Sequence, residues 1–344
     1  MMTAVWTSQD STADLAGRFA ANPNSWQLLK RIRTLRSRYV TAAILRDRLE
    51  DLPHQLKQPT LRPWGALPWR DVAPDQLMGI DCETFCATLL GTINTEAPIR
   101  DYTQSSRQYL EALYPGMARF VGGQVDEAGK LVELGLWERE ENRHTPALAK
   151  LYKLLTGQRP EIIPHVARPY QAAADARGNL YRHGLHRVAT EYGATCLYLW
   201  MMAHSTGALQ TVLAELLIDE INHMTKFWGF GMWAYPDSSP VKIGQTLGQA
   251  MLRKVRDRTT QGSLLHTLRR MMAELAWEQW SPTQRLTLLY TFDQVMKSLW
   301  RWNRSLTPEY LNDLFGCLPS VGNSRKDLPV NASILLPGAA QPPA

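Results

Sequence analysis

Apolar residues recur along most of this chain at steps of three and four, the period of helices with one buried face. Between about Asp126 and Leu155 the stripe reads Leu134, Trp137, Glu141, His144, Leu148, Leu151 and Leu155. A later stripe reads Leu213, Leu216, Glu220, His223 and Phe227. In both, a glutamate and a histidine interrupt an otherwise apolar face. Two further tracts share the period. One runs from Asp75 to about Leu113, with Leu89, Thr92, Glu96, Ile99 and Thr103 on one face and Pro98 inside it to kink or divide it. The other runs from about Leu185 to His204, with Val188, Glu191, Thr195, Tyr198 and Met202 on one face, and Ser205-Thr206-Gly207 break it. Four such tracts, arriving as two pairs, predict an all-α fold whose core is a four-helix bundle made of two helical hairpins.

The rest of the chain frames that core. Residues 1–24 are polar and are expected to fray. Ser25 to about Glu50 predicts a basic helix with Lys30, Arg31, Arg33, Arg36, Arg38, Arg46 and Arg48, either a solvated face or a docking surface for an acidic partner. Pro53, Pro59, Pro63, Pro68 and Pro74 make residues 53–75 an extended linker. Pro115-Gly116 ends the first core tract, and Gly157 and Pro160 stop the one that holds Glu141. Residues 158–182 read as a connection with a short helix. Beyond Pro236, helices are expected at about 241–258, 263–279 and 282–304, the last with Ser281 as N-cap and Pro282 in its first turn. Met271, Met272, Trp277, Trp280, Trp300 and Trp302 read as core packing. Residues 323–344, rich in Pro, Gly and Ala, read as a disordered tail. The expected organisation is a basic helix and linker over 1–75, the bundle over 76–235, additional helices packed on it over 236–322, and the tail over 323–344.

Glu141-Asn142-Arg143-His144 and Glu220-Ile221-Asn222-His223 are the only two Glu-x-x-His sequences in the chain. Positions i and i+3 of a helix share a face, so each pair offers a carboxylate and an imidazole to one point. A carboxylate on a buried face needs a counter-charge; a metal ion supplies it and accounts for the histidine too. The order repeats along the chain: Glu96 then Glu141 and His144, Glu191 then Glu220 and His223. Two Glu-x-x-His helices plus a Glu from each of two others is the ligand set of ferritin-like di-iron and di-manganese bundles. Glu83, Glu111 and Glu215 lie at similar helical phase and compete with Glu96 and Glu191. Four carboxylates and two imidazoles make a hard site that suits iron or manganese better than copper. Thr195, one turn after Glu191, reads either as a catalytic hydroxyl that assists proton or O2 handling, or as a hydroxyl bonded back to its own helix. His183, His186 and His204 read as satisfied helix histidines rather than ligands.

Trp137-Glu138-Arg139-Glu140-Glu141-Asn142-Arg143-His144 resembles the first metal motif of the soluble plant-type acyl–acyl carrier protein desaturases, a Glu-Glu-Asn-Arg-His stretch. Leu151-Tyr152-Lys153-Leu154-Leu155-Thr156-Gly157 is similar to that family's continuation, and Asp219-Glu220-Ile221-Asn222-His223 to its second motif, Asp-Glu-Lys-Arg-His. The resemblance covers roughly residues 80–235. It implies that Glu96, Glu141, His144, Glu191, Glu220 and His223 hold two iron ions, with Asp219 as partner to a ligating histidine. It also implies an O2-dependent desaturase or oxygenase with an acyl-type substrate carried by an acyl carrier protein, a ferredoxin as electron donor, and a homodimer. The chain departs from the pattern in several places. Ile221-Asn222 replace Lys-Arg, a proline follows Glu96 more closely, the stretch from Glu191 to His223 is shorter, and Thr195 follows Glu191 by four residues rather than three.

Composition narrows the picture without naming a substrate. At 44% hydrophobic and 20% charged, the 344 residues form an ordinary globular chain, and twelve tryptophans point to an aromatic-rich core. A net charge of +6 favours an acidic partner, but there is no zinc-finger, RNA-recognition or Gly-rich phosphate motif, so no nucleic acid is expected. Cys82, Cys86, Cys196 and Cys317 make no disulfide framework in a chain of this length and fit a reduced, cytoplasmic interior. No secretory signal pattern precedes Trp26. The apolar stretch from Cys196 to Ile218 contains His204, Gln210 and Glu215, which predicts a buried helix rather than a membrane span. Two other classes stay open: a ferritin-like metal-binding protein with a ferroxidase role, and a helical interaction protein with an inactive site.

Overall fold

The computed structural model describes residues 23–167, 169–239, 242–243 and 272–317. Among these the chain is mostly helical, with one small hairpin. The basic N-terminal stretch forms two helices, α1 (Ser25–Tyr39) on an Asn24 capping box and α2 (Ala42–Glu50) on the Thr41 hydroxyl. α3 (Leu52–Lys57) accepts Pro53 in its first turn, where a missing N–H leaves no gap, so the extended segment begins only after Lys57. From there to Asp81 the chain makes only two 3-10 turns, Trp69–Asp71 and Pro74–Gln76.

The first core tract starts later than its sequence period predicts. α4 (Cys82–Glu96) begins on the Asp81 cap, and Pro98, which lacks an N–H, separates it from α5 (Ile99–Glu111). α6 (Pro115–Gly122) starts where Pro115-Gly116 was expected only to stop a helix. A hairpin follows, β1 (Gln124–Val125) against β2 (Leu131–Glu133), with Gly129 at φ +78° in its turn. The helix expected from Asp126 is therefore displaced to α7 (Leu136–Glu141) and α8 (His144–Thr156). Between them the helix breaks at Asn142-Arg143, because Pro146 has no N–H to donate to the carbonyl of Asn142.

The second pair is longer. α9 (Ala176–Ala203) begins on the Asp175 cap rather than near Leu185, and no helix lies in 157–167 or 169–175. After Ser205-Thr206, α10 (Gly207–Ala234) packs back along it. α11 (Pro282–Asn303) carries the expected Ser281 capping box, and α12 (Pro308–Phe315) follows. The helices expected at 241–258 and 263–279 lie largely outside the described residues, and the tail wholly so.

α4 packs on α8, α5 on α9, α7 on α10, and α9 on α10, so four helical tracts close into a ring. α1 and α11 lie against α9, and α2 against α10. One cluster of buried residues runs through all of them, from Ile32 and Leu45 through Leu89, Leu148, Tyr198 and Leu213 to Leu299. Arg31 does not belong to the basic outer face. It is buried, and its guanidinium donates to the carbonyls of Ala203 (2.9 Å) and Ser205 (2.6 Å) at the end of α9. Trp280 and Trp302 are core residues, and Trp280 stacks on Trp200 at 4.4 Å. Trp300 is 47% exposed, because two residues turn about 200° around a helix and Trp302 already takes the inward face. No helix among the described residues is long and apolar enough to cross a membrane.

Candidate metal centre

The ring of helices brings all six candidate ligands together. Glu96 ends α4, Glu141 ends α7, His144 opens α8, Glu191 sits inside α9, and Glu220 and His223 lie one turn apart in α10. Glu96, Glu141, His144 and Glu220 each place one ligand atom within 4.8 Å of the others, and so do Glu141, Glu191, Glu220 and His223. Glu141 and Glu220 belong to both groups. Each group then adds one private carboxylate and one private imidazole: Glu96 with His144, and Glu191 with His223.

The inner atoms approach closely without hydrogen bonding. His144 Nδ1 lies 3.0 Å from Glu141 Oε2 and 3.1 Å from Glu220 Oε1. His223 Nδ1 lies 2.8 Å from Glu141 Oε1 and 3.8 Å from Glu191 Oε2. Yet His144 Nδ1, His223 Nδ1 and Glu220 Oε1 are buried with no hydrogen-bond partner. All three atoms belong to residues of the two converging ligand groups. Ligands held at about 2.0–2.2 Å from one metal ion lie about 3 Å apart at a right angle, so these spacings fit a shared cation.

The outer edges of the two imidazoles fix that orientation. His144 Nε2 lies 3.4 Å from Asp219 Oδ2, and His223 Nε2 lies 2.9 Å from Glu140 Oε2. The arrangement is crossed: the acid before Glu220 holds the histidine of the first motif, and the acid before Glu141 holds that of the second. Donation of Nε2–H outward leaves the Nδ1 lone pair for a metal and raises its basicity. Asp219 is itself held by Arg62 Nε (2.7 Å), Arg143 (2.8 Å) and Trp64 Nε1 (2.8 Å). Burial works to raise its carboxyl, but the hydrogen bond to His144 and the charge of Arg62 outweigh that and hold it well below the usual range. The segment after α3 therefore forms a strap over the outer face of the centre. Arg62 also pairs with Glu215 at 2.6 Å, and the Trp64 ring stacks on His144 with centroids 6.3 Å apart.

Further groups hold the ligands from inside. Trp137 Nε1 donates to Glu141 Oε1 at 2.8 Å, and the Tyr198 hydroxyl donates to Glu96 Oε1 at 3.3 Å. Thr195 is fully buried and its hydroxyl makes no hydrogen bond, so it does not bond back to its own helix. The competing carboxylates are engaged or turned away: Glu215 by Arg62, Glu111 by Arg107 at 2.7 Å, and Glu83 by exposure to solvent.

The acids and bases of the cluster are pushed apart. Burial of the carboxyl and the neighbouring Glu141 raise Glu96 to about 8, although the residue as a whole is only half-buried. The same causes raise Glu191 to about 7 and move Glu220 well above the ordinary range. Burial also opposes the charge on Glu141, but His144 and His223 outweigh it and keep that carboxylate ionised. For both histidines burial is outweighed in turn by Glu141 and the outer acids, and their values rise. Without a cation the cluster must keep protons where a cation would otherwise sit.

Glu140, Arg62 and Trp64 are partners that reading the sequence did not single out, while Trp137 and Tyr198 stand on the ligand stripes as packing residues. Of the first three only Glu140 left a signal, as half of an acid doublet, Glu140-Glu141, echoed by Asp219-Glu220. Asp219→Asn is expected to weaken metal binding by about 10–100-fold, the usual loss when the partner of a ligating histidine is changed. A competitive chelator titration measures it, and an unchanged affinity would show that the Asp219–His144 contact does not tune the ligand.

Protein-family models, curated proteins and solved structures contain no match to this chain.

Proposed function

We propose that this protein is an O2-dependent di-metal oxidoreductase, a desaturase or oxygenase on a ferritin-like bundle, acting on a hydrophobic substrate. The observation that carries the reading is the pair of overlapping ligand groups with Glu141 and Glu220 in common. One metal would be held by Glu96 and His144, the other by Glu191 and His223, with the two shared carboxylates between them. Two iron ions held there would supply the electrons and the Lewis acidity for O2-dependent oxidation of an unactivated C–H bond, and an external donor such as a ferredoxin would restore the electrons.

The residues around the site have separate tasks. Asp219 and Glu140 keep each imidazole's lone pair inward, and Trp137 fixes the rotamer of Glu141. Tyr198 donates to Glu96, and Thr195 offers an unengaged hydroxyl one turn from Glu191 to hold or pass a proton. The strap of Arg62 and Trp64 keeps water from the histidine edges. An apolar cavity beside α9 and α10 supports an organic substrate over simple iron oxidation, and the resemblance of the motifs makes acyl chains the first class to test.

The test is metal content after expression with added iron, followed by anaerobic reduction and exposure to O2. About two irons per chain and an optical change on O2 addition are expected. A folded, helical chain that holds no metal under those conditions would remove the catalytic reading and leave an interaction protein.

A further inference from the structure

A cavity of about 130 Å³ lies among α5, α6, α9 and α10. Its walls are almost wholly carbon, from Leu110, Met117, Leu185, Val188, Phe227 and Met232. Most polar side chains on its rim already have partners. His183 shares a hydrogen bond with Ser106 at 2.9 Å, and Tyr181 shares one with Ser238 at 2.9 Å. The guanidinium of Arg187 faces Glu191 at 3.8 Å and lies 4.8 Å over the Trp137 ring. Among the described residues Arg187 is the one guanidinium on the wall; its Nε is buried without a hydrogen-bond partner, and its charge faces Glu191 and the Trp137 ring.

Its place relative to the metal centre is one-sided. Arg187 and Val188 precede Glu191 by one turn of α9, and Phe227 follows His223 by one turn of α10, a rise of about 6 Å. Glu96 and His144 have no such neighbours in the cavity wall. Dry apolar cavities of about 150 Å³ take up benzene, which sets the scale of an occupant.

We propose that this cavity is the substrate subsite beside the Glu191–His223 half of the centre, and that it takes an uncharged apolar group of about one six-membered ring or six carbons. The inference rests on the proposed di-metal function and narrows its substrate. A long acyl chain would extend beyond this space, and an anionic head group would have to compete with Glu191 and the Trp137 ring for Arg187.

Two glycines make the test clean. Gly184 and Gly231 both line the cavity, and a Cβ added at either meets nothing within 4 Å. Leucine at either position fills the space while favouring its helix, so Gly231→Leu keeps the fold. Fluorobenzene is the probe, titrated by calorimetry and followed by fluorine NMR, with 4-fluorobenzoate and dodecanoate as competitors. The wild-type chain is expected to bind fluorobenzene, Gly231→Leu to bind it at least about tenfold more weakly, and manganese-loaded protein to relax the bound fluorine strongly. No binding up to the solubility of fluorobenzene, equal binding by Gly231→Leu, or tighter binding of either acid would overturn the proposal. So would fluorine relaxation that manganese leaves unchanged. A chain that takes up no manganese fails the di-metal reading instead, and the titration, which needs no metal, still decides what the cavity accepts.

Discussion

Glu141→Ala is expected to destabilise the metal-free protein by about 3–5 kcal/mol, whereas Glu220→Ala leaves its stability unchanged or raises it. The two residues have the same type, the same burial and a shared place in both ligand groups, yet opposite electrostatic roles. Glu141 faces His144 at 3.0 Å and His223 at 2.8 Å and is the ionised partner of both. Its removal leaves the two buried imidazoles only their outer acids, Asp219 and Glu140, and takes away the carboxylate they share, the costly way to break a buried pair. Glu220 is pushed upward by burial and by Glu141 itself, so it carries a proton and contributes mainly repulsion when ionised. Alanine there deletes a neutral carboxyl whose Oε1 is buried without a hydrogen-bond partner, at the expense of a small cavity. With metal present the asymmetry vanishes, since each substitution deletes a ligand from both groups. Either variant is expected to lose stoichiometric metal, and the double variant to hold none. Urea unfolding of chelator-treated protein, with metal analysis alongside, checks both halves. Equal destabilisation by the two single variants would show that Glu141 is not the common counter-ion.

The centre was legible because its chemistry is local to each helix. Glu141 with His144, and Glu220 with His223, stand three apart on apolar stripes, which is a statement about one turn of helix and needs no tertiary knowledge. Glu96 and Glu191 followed from the repeated order of a Glu helix before each Glu-x-x-His helix, and the fold gathers all six. The local breaks were harder. Residues 124–133 contain Glu, Ala, Lys and Leu, good helix formers, but Gly123 at φ +81° and Gly129 at φ +78° turn the chain back on itself instead. Pro115-Gly116 reads as a terminator, although proline is equally suited to a first turn. In sequence the strap is a proline-rich linker and no more, since composition says that a segment is extended and not what it lies against. Arg62 and Trp64 meet Asp219 from more than 150 residues away in sequence, a contact made by packing alone.

Metal uptake is expected to release protons and to weaken steeply as pH falls below about 7. Metal ligands must be deprotonated, and the empty cluster holds on to protons. Glu96 keeps its proton up to about 8, Glu191 up to about 7, and Glu220, His144 and His223 keep theirs well above their ordinary values. Each proton displaced makes affinity change tenfold per pH unit, so release of at least two gives a change of about a hundredfold or more per unit. The metal-free protein should run the other way. A carboxyl raised to about 8 stays protonated in the folded chain after the unfolded chain has ionised near 4.5, so the folded state binds more protons in between. Stability then falls as pH rises across that window. The raised histidines act in the same sense: their pairing with Glu141 is fully present below their unfolded value of 6.5 and is lost as pH rises through the folded one. The rise in melting temperature caused by manganese or ferrous ion should therefore widen from pH 6 to pH 8, because the bound form gains what the empty form loses. Calorimetry in two buffers of different ionisation enthalpy counts the protons directly. Heats that do not depend on the buffer, together with a melting shift that is flat in pH, would mean that the six side chains meet the metal already deprotonated. In that case the cluster would be a preformed anionic cage rather than a proton store that metal displaces.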